Sequence, residues 1–435
     1  MEDVLSHGPD RPPRRRRWWL LPAGVVAAIA VVAFAVARPD PTPPPEGAAP
    51  EATSTPTAPA GSAPASVTPS DLQPWPSAAG ACGSDASLPL LSVGPLRAHT
   101  GLTVLVGGAG LRLVDVDTGD VRLLITAGAG RGGQVTELAA SQAGLHAVRM
   151  RCADLMAPAG TVLSLNPRRL TPSTALPGRI DALLSGPDSV WAFSYPTDLG
   201  SEPMVLRPVD GGRPVTLPIG FEAAVATDQS FLGSLIRDGE QPADGGFDIA
   251  AVSRADPSDI RRLGRGYVLA VTDRFALTYR DCDPASTCAL MWTRTRVGAA
   301  ARSFPLPAGR ALASEVVLSA NGQYAAFQLS RPDPDPRYDP GHPGGPSDLA
   351  VQDLRTGTLS LVPGVELAPK STAGLAFSRD GRWLVIALNE GRRARLLVWR
   401  PGLDRPMESP ARLSGGILYN VPVLDVTGRA TITSP

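Results

Sequence analysis

Two short sequence patterns recur along residues 100–435, and their spacing constrains the fold more than any other feature. The first is an apolar strand, a tight polar turn and a second strand, as in ELAASQAGLHAVRM and LAFSRDGRWLVIAL. The second is a strand that ends in a turn, such as LRLVDVDTG, and each pattern occurs seven times. The residues after the turns of the first pattern lie 45, 41, 44, 49, 59 and 47 apart: Leu145, Val190, Phe231, Phe275, Tyr324, Trp383 and Ala430.

A period of about 40 to 50 residues that contains four strands is the signature of a β-propeller blade. The sequence therefore predicts an all-β fold, a seven-bladed β-propeller, and its 45 glycines and 46 prolines disfavour long helices. No first pattern precedes the second pattern near Leu111, and no second pattern follows the first pattern at 421–434. We therefore expect C-terminal strands to complete the first blade, begun by residues 101–126, and to close the ring.

Two of the seven turns carry a recognisable motif. The segment Ala376–Val385, AFSRDGRWLV, resembles the Phe-Ser-x-Asp-Gly-(Arg/Lys)-x-Leu repeat of TolB-type, WD-repeat-like propellers, and Leu318–Tyr324, LSANGQY, is a weaker copy. The resemblance implies a binding or scaffold domain in which the Asp-Gly pair forms the tight turn and the aromatic residue packs between blades. It carries no functional residue over to this chain.

The N-terminal region predicts a membrane anchor. Residues 1–17, the predicted cytoplasmic tail, end in four arginines, and residues 18–37 form an uncharged run that is long enough to cross a bilayer. Arginines on the N-terminal side place the N-terminus in the cytoplasm. The alternative is a cleaved signal peptide, since Ala35-Val36-Ala37 matches an Ala-x-Ala site. We predict an uncleaved signal anchor, because signal peptides have shorter apolar runs of about 7–15 residues.

A linker and an exported domain follow the anchor. Residues 38–95 form the predicted linker, whose first part, 38–80, holds 12 prolines among Ala, Thr and Ser. Such a composition buries too little apolar surface to fold, so the segment should be extended. Residues 96–435 are the predicted propeller. The protein is therefore expected at the cell membrane as a single-pass protein with its C-terminal domain outside the cytoplasm.

All four cysteines lie in the exported part, and they are Cys82, Cys152, Cys282 and Cys288. An even number in an oxidising compartment indicates two disulfides, of which four cysteines allow three pairings. We expect Cys282 to pair with Cys288 across the short segment DCDPASTC, and Cys82 to pair with Cys152. The alternative is four reduced, buried thiols.

Several chemical sites are disfavoured by the residues present. The balance of 41 basic and 41 acidic residues argues against a nucleic-acid partner. The single lysine, Lys370, does not lie in the local sequence of a P-loop or a Schiff-base site. The exported histidines, His99, His146 and His342, lack zinc-site spacing, and there is no Gly-x-Ser-x-Gly elbow. We therefore predict no catalytic residue, no metal and no cofactor.

One glycine-rich segment matches a dinucleotide-binding fingerprint, with Gly128, Gly130 and Gly133 at the required spacing. That fingerprint needs a helix to follow, because the N-terminus of the helix receives the pyrophosphate. The sequence that follows, QVTELAASQAGLHAV, is instead typical of a strand, a turn and a strand. We interpret the glycines as a loop between blades.

The most unusual segment is RPDPDPRYDPGHPGGP, residues 331–346, in the longest interval of the repeat. We treat it as a candidate partner-contact loop with the polar residues Asp333, Asp335, Arg337, Tyr338, Asp339 and His342. Its aspartates and histidine are also potential cation ligands, but the prolines favour an extended chain without the glycine-centred turn of a compact calcium loop. A solvated insertion is the third interpretation.

This segment connects the second and third strands of its blade, as do four other long, charged segments: 149–160, 195–203, 237–246 and 280–288. All such connections emerge on one face of a propeller, whereas the other face has short turns such as DTG and RTG. Because loops on a rigid scaffold commonly carry binding, we predict that this face is functional. The alternative is that long loops are merely tolerated there.

The sequence thus favours a membrane-anchored extracytoplasmic propeller that binds an envelope protein or glycan, or acts as a scaffold, without catalysis. The competing class is a propeller-fold hydrolase or lyase that acts on an envelope polymer. Such an enzyme would use carboxylates of the central channel or of the loop-bearing face.

Overall fold

The computed structural model describes residues 89–126, 133–141, 144–151, 160–166, 172–176, 180, 182–194, 201–237, 247–272, 274–280, 289–313, 316–332, 343–369, 371–390, 393–414 and 421–427. The predicted tail and anchor, most of the linker and all four cysteines lie outside these residues. Within them, no helix is long and apolar enough to span a membrane.

The described residues form β-strands that assemble into seven sheets, and each sheet is one blade with four strand positions. Two short strands precede the blades: β1 (Leu90–Leu91) and β2 (Gly94–Pro95). Blades one to four contain the following strands in chain order: β3 (Thr103–Val106), β4 (Gly110–Asp115), β5 (Val121–Thr126); β6 (Gly133–Ala140), β7 (Leu145–Arg151), β8 (Gly160–Leu165), β9 (Pro172–Leu176); β10 (Ala182–Ser185), β11 (Val190–Phe193), β12 (Val205–Pro208), β13 (Val215–Thr216); β14 (Phe221–Ala226), β15 (Ser230–Ile236), β16 (Phe247–Ser253), β17 (Ile260–Arg265).

Blades five to seven and the closing strand follow: β18 (Tyr267–Val271), β19 (Phe275–Arg280), β20 (Ala289–Arg294), β21 (Arg302–Pro305); β22 (Ala311–Leu312), β23 (Val317–Leu318), β24 (Tyr324–Pro332), β25 (Pro343–Asp353), β26 (Leu359–Leu367); β27 (Ala373–Phe377), β28 (Leu384–Asn389), β29 (Arg393–Trp399), β30 (Met407–Glu408), β31 (Leu413–Ser414); β32 (Val423–Asp425). The first position of blade six is split into β22 and β23, and the fourth position of blade seven into β30 and β31. First-position strands of successive blades contact one another around a closed ring: β32, β6, β10, β14, β18, β23 and β27. The seven-bladed propeller predicted from the repeat is therefore confirmed.

The ring closes in blade one, where the C-terminal strand β32 pairs antiparallel with β3. Val104 faces Asp425 and Val106 faces Val423 in this pair. Closure from the C-terminus is as predicted, but one strand, not several, closes the blade among the described residues. Residues 103–106 already fill the second position, so no place is left there for another C-terminal strand.

The segment Leu90–Pro95, here called the N-terminal strap, pairs with the outer edges of two blades. Strand β1 lies antiparallel to β26 of blade six, and β2 lies parallel to β30 of blade seven. Ser92 and Gly94 donate backbone hydrogen bonds to Gly364 and Pro406, at 2.7 and 2.9 Å. Strand pairing with the propeller thus begins within the predicted 38–95 linker, before residue 96.

The core consists of apolar clusters between neighbouring blades, because alternate residues of each strand point to opposite faces of a sheet. Between blades three and four, for example, Trp191 packs its ring edge-on against Phe231, with centroids 5.1 Å apart. Between blades seven and one, Trp383 and Val385 pack against Val104 and Val114. Every blade therefore needs both neighbours to bury its surface.

The tight turns that the sequence motif marks have a shared geometry. In blade seven, the Ser378 hydroxyl donates to Asp380 at 2.6 Å and accepts from the backbone N–H of Trp383 at 2.9 Å. In blade six, Ser319 makes the same two contacts, to Asn321 at 2.7 Å and from Tyr324 at 2.9 Å. Each turn is thus closed by its own side chains.

The aromatic residues after these two turns have the packing role that the resemblance implies. Trp383 is buried between blades seven and one, with the Arg400 guanidinium 4.8 Å above its ring. Tyr324 stacks on Phe377 of the next blade, with ring centroids 6.3 Å apart. Both aromatic residues therefore link one blade to its neighbour.

Candidate functional site

Successive strands of a blade are antiparallel, so the connections from position two to three, and from position four to the next blade, leave on one face of the ring. We call this the loop face and the opposite one the turn face. The structure places the five long connections as predicted, between β7 and β8, β11 and β12, β15 and β16, β19 and β20, and β24 and β25. The six polar residues of the candidate loop lie outside the described residues: Asp333, Asp335, Arg337, Tyr338, Asp339 and His342.

The described rim of the loop face carries an ion cluster where the candidate loop leaves blade six. The Asp348 carboxylate lies 2.6 Å from the Arg310 guanidinium and 3.1 Å from that of Arg331, which also contacts Glu366 at 2.9 Å. Burial lowers the pKa of Arg331, but the two carboxylates more than offset this, so the pKa lies above its usual value. The cluster holds the first, second, third and fourth positions of the blade together beside the loop.

Blade four repeats this arrangement at the equivalent position. Asp248 of β16 lies 3.8 Å from Arg237, which follows β15, and 3.4 Å from Arg262 of the outer strand. In both blades, the arginine follows by two residues the leucine that pairs with the aspartate on the neighbouring strand. Leu235 pairs with Asp248, two residues before Arg237, and Leu329 pairs with Asp348, two residues before Arg331. The same geometry thus supports the base of two long connections.

Blade seven has the cluster with its charges reversed. Arg395 of β29 pairs with Leu388, and Glu390, two residues beyond, lies 3.3 Å from the guanidinium. Arg395 also donates to Glu408 of the outer strand, from its Nε at 2.7 Å. The hydrogen bonds that Arg395 donates to Glu408 are the largest of the effects that raise the pKa of Arg395. One cationic centre with two carboxylates therefore replaces the carboxylate with two cations found in blade four.

A polar pair lies nearer the axis of the ring, at the loop-face ends of the innermost strands of blades four and five. The Tyr267 hydroxyl donates to Oε2 of Glu222 at 2.9 Å, and the Phe247 ring packs edge-on against Tyr267 at 5.0 Å. Burial raises the pKa of Glu222, although the bond from Tyr267 opposes the shift. Burial first, and then the charge of Glu222, raise the pKa of Tyr267. A carboxyl group that keeps its proton to a higher pH than usual is a potential proton donor.

The sequence reading missed this pair, although a signal for it exists. Glu222 and Tyr267 are 45 residues apart, about one repeat, and each occupies the start of a first-position strand. A search for polar residues at matching positions of consecutive repeats would have placed them side by side.

The histidines within the described residues occupy separate places. The Nδ1 atom of His146 lies 3.0 Å from the Ser164 hydroxyl, and burial lowers the pKa of His146, while the charge of Asp210 opposes the shift. His99 is exposed and lies 2.7 Å from Asp117 on the turn face. In the part of the chain that the structure describes, no group of three or more His, Cys, Asp or Glu residues is placed to hold a metal ion.

The glycine-rich fingerprint is followed by strands. Gly133 begins β6, residues 134–140 complete that strand, and residues 145–148 belong to β7, which pairs antiparallel with β6. The two predicted strands are confirmed, so a strand and not the helix that a pyrophosphate would require follows Gly133. Gly128 and Gly130 lie outside the described residues.

The disulfides stay a prediction, because every cysteine lies outside the described residues. The strands that flank one expected pair are nevertheless in register, since Arg280 pairs with Ala289. Cys282 and Cys288 lie within the connection that these two residues close. Its two ends are therefore held side by side, as the expected bridge requires.

Comparison with known proteins identifies similar folds. No family model and no curated protein match the sequence. Solved structures similar to this one include TolB from Acinetobacter baumannii, with 16% identity, 78% of this chain and 88% of that chain covered, and a TM-score of 0.41. They also include apo AztD from Citrobacter koseri, with 10% identity, coverages of 74% and 98%, and a TM-score of 0.44. The periplasmic gluconolactonase PpgL from Pseudomonas aeruginosa has 13% identity, coverages of 74% and 99%, and a TM-score of 0.42. Likenesses of this degree say nothing about a shared activity.

Proposed function

We propose that this protein is a membrane-anchored, extracytoplasmic propeller that binds an envelope protein or glycan through its loop face, as a non-catalytic binding or scaffold module. Residues 18–37 anchor it as a single span, and the Pro-rich segment holds the propeller away from the membrane. The candidate loop, residues 331–346, makes a principal contact with the partner.

The observation that carries the proposal is the contrast between the two ends of the blades. The two motif turns of the turn face are short and close on their own serine hydroxyls. The loop face instead carries the five long connections, and ion pairs join the ends of its strands in blades four, six and seven. Variable connections on a fixed scaffold are the usual arrangement for binding.

The N-terminal strap adds a second support. Leu90 pairs with Glu366, at the loop-face end of the outer strand of blade six. The chain that leads to the predicted anchor therefore joins the propeller on the loop face, in the same blade as the candidate loop. A partner in the envelope near the membrane would meet this sector first.

The test uses the full chain in detergent, mixed with detergent extracts and purified glycan of its own envelope. In one variant, residues 333–342 are replaced by a Gly/Ser segment of equal length, which leaves Arg331 and Asp348 in place. We expect the wild type to retain a defined envelope protein or glycan, and the variant to retain at least about tenfold less, equivalent to about 1.4 kcal/mol of binding free energy.

A matched control changes exposed residues of the turn face. The control variant, Arg296→Ser/Val297→Ser, alters a turn in which Val297 is 73% exposed. Its retention of the envelope protein or glycan should equal that of the wild type. Equal retention by the wild type and the loop variant, or retention of nothing specific by the wild type, would show that the proposal is wrong.

A second candidate function is that of a hydrolase or lyase acting on an envelope polymer, and its specific support is the Glu222–Tyr267 pair. A half-buried carboxyl group with a raised pKa is suited to general acid catalysis, which contributes about 10²–10⁴-fold to rates. The measurement is polymer breakdown by the full chain and by Glu222→Gln and Tyr267→Phe. Loss of a measured activity in Glu222→Gln would favour the enzyme, whereas no breakdown by the wild type would favour the binding module.

A further inference from the structure

The outer strand of blade four, β17, is the most exposed strand edge of the propeller among those with described side chains. Five of the six residues of IRRLGR are exposed, and only Leu263 is half-buried against the core. Among the described residues, β17 ends its sheet, with β16 as its one strand partner. Its outer backbone edge is therefore open to a further strand.

The fold itself shows that a blade accepts an added strand. Strand β1 adds to blade six in the antiparallel sense, and β2 adds to blade seven in the parallel sense. The other open edges are less suitable: β13 has two residues, β9 begins with Pro172, four of the six residues of β5 are half-buried, and β21 ends in Pro305. Blade four thus offers the longest exposed outer strand that could pair with an added strand, as the outer strands of blades six and seven pair with the strap.

Charge gives this edge a preference. Arg262 shares the Asp248 carboxylate with Arg237, whereas Arg261 and Arg265 form no ion pair with another described residue. The strand therefore carries three guanidinium groups, of which that of Arg262 lies in ion-pair range of a carboxylate among the described residues, while the exposed Asp259 directly precedes the strand. Its exposed Ile260, 36% accessible, adds an apolar contact at one end.

The two unpaired arginines point to opposite faces of the blade. Arg261 pairs with Ala251, which packs toward blade five. Arg265 pairs with Asp248, which lies on the same side of β16 as Ala250, and Ala250 packs toward blade three. A strand laid along β17 would send its own side chains to both faces in alternation. Carboxylates on either face of such a strand would meet a guanidinium group.

We propose that the outer edge of β17 binds an extended acidic segment of a partner protein by strand addition. Backbone hydrogen bonds along the edge supply the general affinity, as in other cases of β-augmentation. Charge-assisted contacts from Arg261 and Arg265 to carboxylates select acidic segments. The site lies on the outer edge of blade four. This proposal does not depend on whether the loop face binds a partner.

Arginines on an edge also prevent two copies of a protein from pairing edge to edge, because like charges repel. That protective role and the proposed one have different consequences. Protection excludes a second copy of this chain and any basic segment, but it predicts no affinity for an acidic strand. Binding of an acidic strand that depends on its backbone amides therefore separates the two.

The test measures fluorescence anisotropy of a short labelled peptide of alternating glutamate and valine, titrated with the full chain in detergent. We expect saturable binding, and a loss of at least about tenfold in affinity for Arg261→Glu/Arg265→Glu. The control is Arg379→Glu/Arg412→Glu, which makes the same change in net charge on exposed positions of blade seven. The control should bind within about twofold of the wild type, a difference of roughly 0.4 kcal/mol.

Two further probes fix the mode of binding. The same peptide with methylated backbone amides should bind at least about tenfold more weakly, because it cannot donate to the strand edge. If it binds as well as the parent, or if inorganic polyphosphate competes equally with the peptide, the surface attracts any polyanion by charge and strand addition is wrong. Absence of binding by the wild type also overturns the proposal.

Folding of the variant is checked through a milder change. Arg261→Ala/Arg265→Ala removes charge without reversing it, and both positions are exposed, so the urea midpoint of unfolding should match that of the wild type. Affinity should fall in the order wild type, alanine variant, glutamate variant. Equal affinity of the alanine variant and the wild type, with both folded, would contradict a role for these arginines.

Discussion

The two faces of this propeller differ in what holds them together. On the turn face, short turns close on their own side chains: the Asp353 carboxylate accepts from the N–H groups of Arg355 and Thr356, and Asp115 accepts from Asp117 and Thr118 in the same way. On the loop face, the connections are longer, and ion pairs join the strands at the base of the connections in blades four and six. The turn face therefore belongs to the structural scaffold, whereas the loop face carries the connections that are proposed to bind a partner.

This difference follows from the cost of change at each face. Substitution of the aromatic residue after a motif turn breaks contacts between blades, because Trp383 and Tyr324 pack against the neighbouring blade. The rim of the loop face uses partly exposed charges, whose contribution to stability is small. Substitutions in the long connections should therefore change the free energy of unfolding little.

The largest expected effect is on the turn face. Trp383→Ala removes a buried ring between blades seven and one and should lower the free energy of unfolding by about 3–5 kcal/mol. Replacing residues 333–342 of the loop face by Gly/Ser should change it by about 0.5 kcal/mol or less. Urea denaturation of the full chain measures both. A loop variant as unstable as Trp383→Ala would break the comparison.

The serine of the motif turn gives a second, smaller effect. Ser378→Ala leaves the Trp383 N–H without its acceptor and should lower the free energy of unfolding by about 1–3 kcal/mol. Ser319→Ala in blade six removes the same contact to Tyr324 and should cost the same within about 0.5 kcal/mol. Urea midpoints of the two variants, measured side by side, check this. Unequal costs would show that the two turns are not equivalent supports.

The rim of the loop face should respond less, and in a salt-dependent way. Asp348→Asn removes the shared carboxylate of Arg310 and Arg331 and should cost about 1–2 kcal/mol, between the values for exposed and buried pairs. Raising the salt concentration should shrink this cost, since screening weakens the partly exposed pairs. The free energies of unfolding at low and high salt check this; a cost unaffected by salt would mean that packing, not charge, holds the rim.

The last prediction concerns the pH dependence of stability. Burial raises the pKa of Glu222 in the folded protein above its ordinary value of 4.5, so the neutral carboxyl group favours the folded state. The stability from this group is full below that value and is lost as the pH rises through the raised pKa. Relative to Glu222→Gln, the wild type should lose stability as the pH rises from 4 to 8, by at most about 1.4 kcal/mol per pH unit. A difference that is independent of pH would contradict the shift.

The sequence was sufficient for the architecture, because repeat spacing records one blade at a time. Seven turns and an offset between two patterns predicted seven blades and closure from the C-terminus. The single closing strand was not predictable, since residues 103–106 carry too little pattern to assign them to the second position. The strap was missed for the same reason, as two-residue strands have no periodicity to detect.

The candidate site was less predictable, because it depends on register between strands. Asp348 meets Arg331 through the pairing of β24 with β25, which places residues 17 apart side by side. Nothing in the local sequence of either residue marks this contact. Charge reversal in blade seven hides the shared geometry further, since a search for matching residues finds Arg395 where blades four and six have aspartate.

The most direct test of the central claim is photo-crosslinking in cells that make the full chain. A photoreactive amino acid replaces either Arg337, in the segment between β24 and β25, or Val297 on the turn face. Val297 is 73% exposed, so accessibility does not limit the reaction there. A functional loop face predicts a discrete crosslinked product from position 337 and none from position 297. A product from position 297 with none from position 337 would contradict the assignment of function to the loop face.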